Sequence, residues 1–238
     1  MKKVKGQIGE SDLFIETDTP EAIDLAFSAI RSHREQLLAY IAKHEEFLYS
    51  FSPVEIAHSA PPIVHAMAHA AKIANVGPMA AVAGALADFA IEEMMKINPR
   101  IAIVENGGEI IGRMSERMST PITIGVYAGE NSTISGRIGF RLEFEDFPFG
   151  LGTSSATVGH AFSFGLADAA CVFAENAAIA DACATAVCNA VIGDSEQESI
   201  QNGLDVAKSI KEIKGVLIIR GDHVGCAGKL PRLVQVKD

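Results

Sequence analysis

The first hundred residues carry apolar side chains at the three- and four-residue spacing that is typical of amphipathic helices. Over residues 20–50 the apolar positions recur at this spacing while charged residues fill the opposite face, which predicts one long helix. A second helix is predicted near residues 63–74, and a third, rich in alanine, over about residues 79–96. The N-terminal part of the chain is therefore predicted to be helical over about residues 20–96.

Beyond Pro99 the pattern changes to short β-rich runs that are separated by turn residues. Strands are predicted first at residues 101–105, 110–111, 122–127 and 137–144, and then at 157–164 and 169–174. A helix at 177–192, another at 195–209 and a last buried strand at 215–220 complete the chain. Strands and helices do not alternate regularly, so we expect an α+β or α/β fold rather than a doubly wound sheet.

Composition narrows the classes of function. Twenty basic and 30 acidic residues give a formal net charge of −10, which disfavours nucleic acid and anionic membrane surfaces as partners. Lys2, Lys3 and Lys5 are interpreted as a solvated N-terminal tail. Neither a secretory signal nor a run of apolar residues long enough to cross a membrane is present, so we expect a cytoplasmic protein. The four cysteines form no Cys-x-x-Cys pair and are expected to be reduced and structural.

Two oxygen-bearing side chains lie four residues apart in the Ala-rich helix predicted at 177–192. Asp181 and Thr185 project about 40° from each other on a helix of 3.6 residues per turn, so both lie on one face. Their small alanine neighbours let another backbone approach and donate carbonyl oxygens, which suits Mg²⁺ or Ca²⁺. The alternative is that Asp181 caps the first turn of the helix and Thr185 bonds back to its own backbone.

A run of glycine and hydroxyl side chains precedes that helix. Gly152, Thr153, Ser154 and Ser155 are interpreted as a loop whose amides and hydroxyls hold phosphate or ribose. His160 follows it and is a candidate acid, base or ligand-binding group. An ordinary turn, with a histidine whose ring bonds a backbone carbonyl, explains the same residues.

A second glycine pair lies between two apolar runs. Asn106, Gly107 and Gly108 predict a tight hairpin turn, which by itself explains their sequence. The functional interpretation is a turn where glycine lets a planar ligand approach the backbone closely.

These motifs together resemble a known family. The segment Gly-Thr-Ser-Ser, followed by His160 and then by Ala-Asp-Ala-Cys-Ala-Thr around Asp181 and Thr185, resembles the ApbE-like superfamily of FAD:protein FMN transferases. Those enzymes have a Thr-Ser-Gly loop, a histidine and an Ala-Asp-Ala-Leu-Ala-Thr helix. The turn that ends in Glu109 resembles their Asn-x-Gly-Gly-Asp turn, and residues 84–88 fall where their Lys-Gly-x-x-x-Asp helix lies. The resemblance covers about residues 77–192 and is strongest to the small cytoplasmic branch found in archaea and anaerobic bacteria.

The resemblance implies a fold and a set of roles. It implies one α+β domain over residues 1–238 of ApbE-like, T-fold-related architecture, with mixed or antiparallel sheets packed against long helices. Its helical part spans about 20–96, its sheet-rich part about 100–174 and its C-terminal helices and strand about 175–238. Asp181 and Thr185 become Mg²⁺ ligands with a backbone carbonyl near residues 79–81, and His160 and Asp181 become catalytic. FAD is bound by the Asn106 turn and the segment from Gly152 to His160, and FMN passes to a hydroxyl of an acceptor protein.

Three hypotheses follow from these residues. The first is a metal-assisted enzyme acting on FAD, by FMN transfer or by cleavage of the FAD pyrophosphate. The second is a non-catalytic flavin- or nucleotide-binding protein, because the family's lysine is replaced by Ala83 and its paired glycines by Met79 and Ala80. The third is a thiol-dependent factor in anaerobic sulfur (homocysteine) metabolism, with Cys183 taking part. The Ala-rich helices also favour a homodimer, although the sequence leaves the oligomeric state open.

Overall fold

A computed structural model describes residues 1–117, 121–130, 132–158 and 163–236. Six α-helices lie in these ranges: α1 (Glu21–Ile41), α2 (Glu45–Tyr49), α3 (Pro62–Ala74), α4 (Val82–Met95), α5 (Ala177–Ala190) and α6 (Glu196–Ser209). The strands of the same ranges are β1 (Lys2–Ile8), β2 (Ser11–Thr17), β3 (Ile101–Asn106), β4 (Glu109–Met114), β5 (Ile122–Gly125), β6 (Ile138–Leu142), β7 (Phe149–Ser154), β8 (Ala169–Ala174), β9 (Gly215–Arg220), β10 (His223–Gly228) and β11 (Arg232–Gln235). This mixture of elements confirms the α+β class.

Two antiparallel sheets organise the strands. The larger has eight strands in the order β1-β2-β3-β4-β7-β8-β9-β10, and the smaller has three in the order β11-β6-β5. Neighbouring strands in both sheets run antiparallel. The expectation of antiparallel sheets is therefore confirmed.

Alternation along the strands of the large sheet produces two hydrophobic layers. One face packs against the helices, and residues such as Ile15, Val104 and Val172 join a core with α1, α3, α4 and α5. The opposite face packs against the small sheet through residues such as Leu151 and Phe173. The strands β4, β7, β8 and β9 are buried on both faces, which is why β8 reads as a continuous apolar run.

The helical prediction for the first hundred residues is confirmed with one break. The single helix expected at residues 20–50 is two helices, because α1 ends at Ile41 and α2 begins at Glu45. His44 lies outside helical geometry, with φ −135° and ψ 69°. The break lets Phe47 reach the core, where it is 1% exposed and contacts Tyr40 edge to face.

The interpretation of the N-terminus as a solvated tail is wrong. Lys2, Lys3 and Lys5 lie on β1, which forms a hairpin with β2 at the edge of the large sheet. Lys3 forms an ion pair with Glu16 of β2 at 3.3 Å. One face of β1 is exposed and the other is only half-buried, so this edge strand reads as polar and its alternation gives a weak core signal.

Two further strand predictions need correction. The described parts of the strand expected at 157–164 are turn and irregular structure, and the strand lies earlier, at β7, where a loop was expected. The strand at 215–220 is not the last, because β10 and β11 follow it.

No single helix in the described ranges is long and apolar enough to span a membrane, although α3 together with Pro78–Met95, bent by 104°, passes the same length and composition test.

Candidate functional site

Two glycines of β7 set the distance between the large sheet and α5. A Cβ atom at Gly150 would lie 2.5 Å from the amide nitrogen of Ala177, and one at Gly152 would lie 2.5 Å from that of Asp181. Real Cβ atoms do not approach backbone this closely, so both positions require glycine. Gly152, predicted as part of a phosphate-holding loop, and Gly150 thus act by letting α5 lie directly on the sheet.

Replacing Gly152 by Ala tests this close approach. We expect a loss of about 1–3 kcal/mol in the free energy of unfolding, because the new methyl group overlaps backbone that cannot rotate away. Gly125→Ala is the matched control, since Gly125 also lies in a strand but has open space where its Cβ would be. Urea unfolding measures both variants, and equal stability of the two would contradict the packing argument.

Asp181 lies at the contact between α5 and the start of α4. Its Oδ2 atom accepts a hydrogen bond from the amide of Gly84 at 3.0 Å. Burial raises the pKa of Asp181 to about 7; the Gly84 and Ala83 amides oppose this rise, and the charge of Asp88 adds to it. Asp181 is therefore not the cap of its own helix, a role that Asn176 fills, but a largely buried acceptor for a neighbouring helix.

Glu109 is a second buried carboxyl beside Asp181. It is 7% exposed and begins β4, directly after the glycine turn. Its pKa is raised well above the usual value, first by burial and then by the charge of Asp181, while the amide of Thr153 opposes the shift. The sequence singled out Glu109 only as the last residue of the turn motif, because nothing local shows that two carboxyls from distant segments meet.

The hairpin predicted at Asn106, Gly107 and Gly108 is confirmed. β3 and β4 pair through it, and both glycines have positive φ, +65° and +112°. Asn106 is 2% exposed and donates a hydrogen bond from Nδ2 to the carbonyl of Ala83 at 3.0 Å. The turn is thereby tied to the start of α4, within two residues of the Gly84 amide that Asp181 holds.

A cavity of about 300 Å³ lies on the other side of this turn, between the two sheets. Gly107 and Gly108 form one wall and Tyr127, which is 56% exposed, stands among the residues that line it. Thr153 and Ser155 also line the cavity. The structure thus brings four of the predicted binding residues to one cavity, together with an aromatic side chain that the sequence did not single out.

The three consecutive hydroxyls of residues 153–155 do not converge on one point. Thr153 lies beside Cys171, with Oγ1 3.7 Å from its Sγ, whereas Ser154, on the other face of β7, bonds the thiol of Cys188. Ser155 accepts the amides of Thr157 and Val158 at 3.0 and 2.9 Å. Successive side chains of a strand point to opposite faces, so Thr153 and Ser154 lie on different sides of the sheet. The described residues therefore do not form a loop in which all three hydroxyls hold one phosphate. His160 lies outside the described residues.

Thr185 follows Asp181 by one turn of α5, and α5 packs against the 3₁₀ turn Pro78–Ala81 as the proposed carbonyl ligand requires. Among the described residues, no three His, Cys, Asp or Glu side chains are grouped so that they alone hold a metal ion. Any cation at Asp181 therefore depends on hydroxyl and carbonyl oxygens as well.

The comparisons with known proteins agree with this architecture. A family model described as "AbpE bacteria" matches residues 2–218. A UPF0280 protein of Methanocaldococcus jannaschii is 46% identical over 230 residues, which are 96% of this chain and 91% of that relative. The chain belongs to this ApbE-like UPF0280 family. A UPF0280 protein of Methanosarcina barkeri is 40% identical over 96% of this chain and 87% of its own length.

Solved structures show the ApbE fold at low sequence identity. The flavinyl transferase ApbE of Pseudomonas stutzeri has a TM-score of 0.59 and 12% identity, covering 95% of this chain and 93% of its own. The flavin transferase ApbE of Vibrio cholerae has a TM-score of 0.58 and 13% identity, covering 95% and 96%. The resemblance seen in the motifs is therefore confirmed at the level of fold and family.

Three of the four thiols of this UPF0280 chain, Cys171, Cys183 and Cys188, are buried and poorly placed for chemistry, whereas Cys226 is exposed. Burial raises the pKa values of Cys171 and Cys183 to about 12. Burial also raises the pKa of Cys188. Because the thiolate is the reactive form, these buried thiols fit the structural role expected from the sequence. The geometry gives no support to direct thiol chemistry at Cys183.

Proposed function

We propose that the chain is a metal-assisted enzyme that binds FAD and transfers FMN to a hydroxyl of an acceptor protein, releasing AMP. The observation that carries the proposal is the position of Asp181. Its buried carboxyl, Glu109 and the start of α4 meet at the Asn106–Gly108 turn, and the cavity opens on the far side of that turn. Membership of the ApbE-like family and the ApbE fold support this assignment.

The residues around Asp181 fit a hard divalent cation. Asp181 and Thr185 offer a carboxylate and a hydroxyl oxygen, and the adjacent 3₁₀ turn offers backbone carbonyls. Oxygen donors of this kind suit Mg²⁺ rather than a soft metal. When bound, Mg²⁺ would neutralise charge on the FAD pyrophosphate.

The cavity fits the planar part of a flavin. Its glycine wall brings backbone within reach of a ring, since Gly108 has open space where a side chain would stand. Tyr127 supplies an aromatic face at the same cavity. Thr153 and Ser155 add hydroxyl groups to the lining of the cavity. Ser155 also accepts the amides of Thr157 and Val158, which hold the turn that follows it.

Replacing Tyr127 by Ala tests the flavin cavity. We expect FAD and FMN to bind about tenfold more weakly, because stacking on an aromatic side chain contributes about 1–3 kcal/mol per base. Tyr127→Phe is the matched control and keeps the ring while removing the hydroxyl, so its affinity should stay close to that of the parent chain. Fluorescence titration measures both; unchanged affinity in Tyr127→Ala would place the flavin elsewhere.

The direct test of the reaction is incubation of the purified chain with FAD and Mg²⁺, with and without candidate acceptor proteins. AMP release and an acceptor whose mass has increased by one FMN less one water are the expected products. AMP release with free FMN would instead indicate cleavage of the pyrophosphate by water. Absence of both products would exclude the catalytic proposal.

The second candidate function is non-catalytic binding of a flavin nucleotide. It is favoured by Ala83, which stands where the family's lysine lies, carries no side-chain charge, and has its carbonyl already held by Asn106. Without that lysine the site lacks one positive charge for the phosphates. Binding of FAD with no AMP release at any Mg²⁺ concentration would support this function over transfer.

A further inference from the structure

α4 and α5 cap each other through two aspartates. Asp88, on α4, accepts the amides of Ala177 and Ala178 at the start of α5, each at 2.9 Å. Asp181, on α5, accepts the amide of Gly84 at the start of α4 at 3.0 Å. The close contact lies near the N-terminus of both helices, so the aspartate four positions after it on each helix reaches the first amides of the other.

The close contact depends on a small residue at the crossing. A Cβ atom at Gly84 would lie 2.8 Å from the amide nitrogen of Ala178 and would overlap the carbonyl of Ala177. Asp88 then lies one turn further along α4, level with the first amides of α5. The third amide of α5, at Ile179, is held by Asn176 at 2.9 Å, so the bonds from the first amides of α5 to α4 are the two that Asp88 accepts.

The position of α5 decides where Asp181 and Thr185 stand. Both side chains lie on α5, within three turns of the amides that Asp88 holds. Gly150 and Gly152 fix the side of α5 that faces the sheet. The hydrogen bonds of the reciprocal capping hold α5 in its orientation relative to α4. A helix free to rotate by a few degrees moves its outward oxygens by a large part of an ångström, which matters for a metal site.

We propose that Asp88 is a positioning residue, which holds α5 against α4 so that Asp181 and Thr185 present their oxygens in the geometry of the metal site. This inference rests on the proposed function for the role of those oxygens. The link between the two helices stands on the hydrogen bonds alone. In this role Asp88 acts through the α5 amides that it accepts.

Hydrogen exchange at the Gly84 amide reports the link without any ligand. Gly84 is among the first residues of α4, whose amides have no partner within the helix, so protection of this amide reflects its bond to Asp181. In Asp88→Ala we expect exchange at Gly84 to be about tenfold faster than in Asn176→Ala, because two linking hydrogen bonds are lost. Asn176→Ala is the matched control, since it removes a cap of the same helix without touching α4.

The second measurement is the Mg²⁺ concentration that gives half of the FAD-dependent thermal shift. We expect it to rise about tenfold in Asp88→Ala and to stay near that of the parent chain in Asn176→Ala. Asp88→Glu keeps both acceptor oxygens, and a cavity of about 240 Å³ beside Asp88 accommodates the extra methylene group. Asp88→Glu should therefore bring both the Gly84 exchange rate and the Mg²⁺ requirement most of the way back to those of the parent chain.

The two measurements separate the inference from the proposed function. Equal Gly84 exchange in Asp88→Ala and Asn176→Ala would overturn the helix link. Faster exchange with an unchanged Mg²⁺ requirement would overturn the positioning role. If the parent chain shows no Mg²⁺-dependent FAD shift, the proposed function fails, whereas the exchange result still decides whether Asp88 fixes α5.

Discussion

Asp181→Asn will abolish FMN transfer from FAD while leaving the protein folded. The amide oxygen of Asn can still accept the Gly84 hydrogen bond, so the contact between α4 and α5 survives. The charge that attracts Mg²⁺ is lost. A metal ion contributes several kcal/mol of charge stabilisation, so we expect AMP release to fall by about 100-fold or more. Circular dichroism and AMP release measured on the same preparation check the two halves of this prediction.

A pair of substitutions at Thr185 provides the control for the metal site. Thr185→Ser keeps a hydroxyl ligand and should retain most of the AMP release, whereas Thr185→Val keeps the shape and removes the oxygen. Asp205→Asn alters an exposed carboxylate on α6 and should leave the reaction unchanged. AMP release at the parental rate in Asp181→Asn would show that Asp181 serves only as a cap for α4.

The free energy of unfolding will fall as the pH is raised from about 5 to 7. Burial raises the pKa values of Asp88 and Asp181 to about 7, and it raises that of Glu109 well above its ordinary value. In the unfolded chain these carboxyls lose their protons near pH 4, so between pH 4 and 7 the native state binds more protons than the unfolded state. The sign of the linkage then makes stability decrease with pH, by up to about 1.4 kcal/mol per pH unit for each carboxyl. His33, whose pKa is lowered by burial, acts in the opposite direction.

Asp181→Asn identifies one source of this pH dependence. It removes one titrating carboxyl, so the plot of unfolding free energy against pH should become flatter between pH 5 and 7. Asp205→Asn is the control, because hydrogen bonds from Lys208 and Gln201 lower the pKa of Asp205 and its effect lies at more acidic pH. Urea unfolding at several pH values measures the slopes. A stability that rises with pH over this range would show that these carboxyls are ionised and compensated in the native protein.

Local sequence signals were sufficient where structure depends on near neighbours. The helix predicted at 63–74 matches α3, the Asn-Gly-Gly turn joins β3 to β4, and the run at 169–174 is a buried strand. Ser195 caps α6 by accepting the amide of Glu198, in agreement with the helix predicted at 195–209. Each of these signals comes from side-chain periodicity or from a residue with special backbone freedom.

Other features depended on segments that are far apart in the chain. Gly152 reads as part of a phosphate-holding loop because the sequence does not show the helix that lies against it and against Gly150. The polar pattern of β1 arises because this edge strand buries little of its surface. In both cases the same residue types suit two structures, and only the packing partner distinguishes them.

The sequence by itself determined the family, the α+β class, the hairpin turn and the helix that carries Asp181 and Thr185. Tertiary structure alone decided what surrounds Asp181: the Gly84 amide from α4, the carboxyl of Glu109 and the capping partner Asp88. All three groups lie 72 to 97 positions before Asp181 in the sequence. The energy of a buried charge depends on how far it is removed from water and on the dipoles nearest to it, and neither is fixed until the chain has folded.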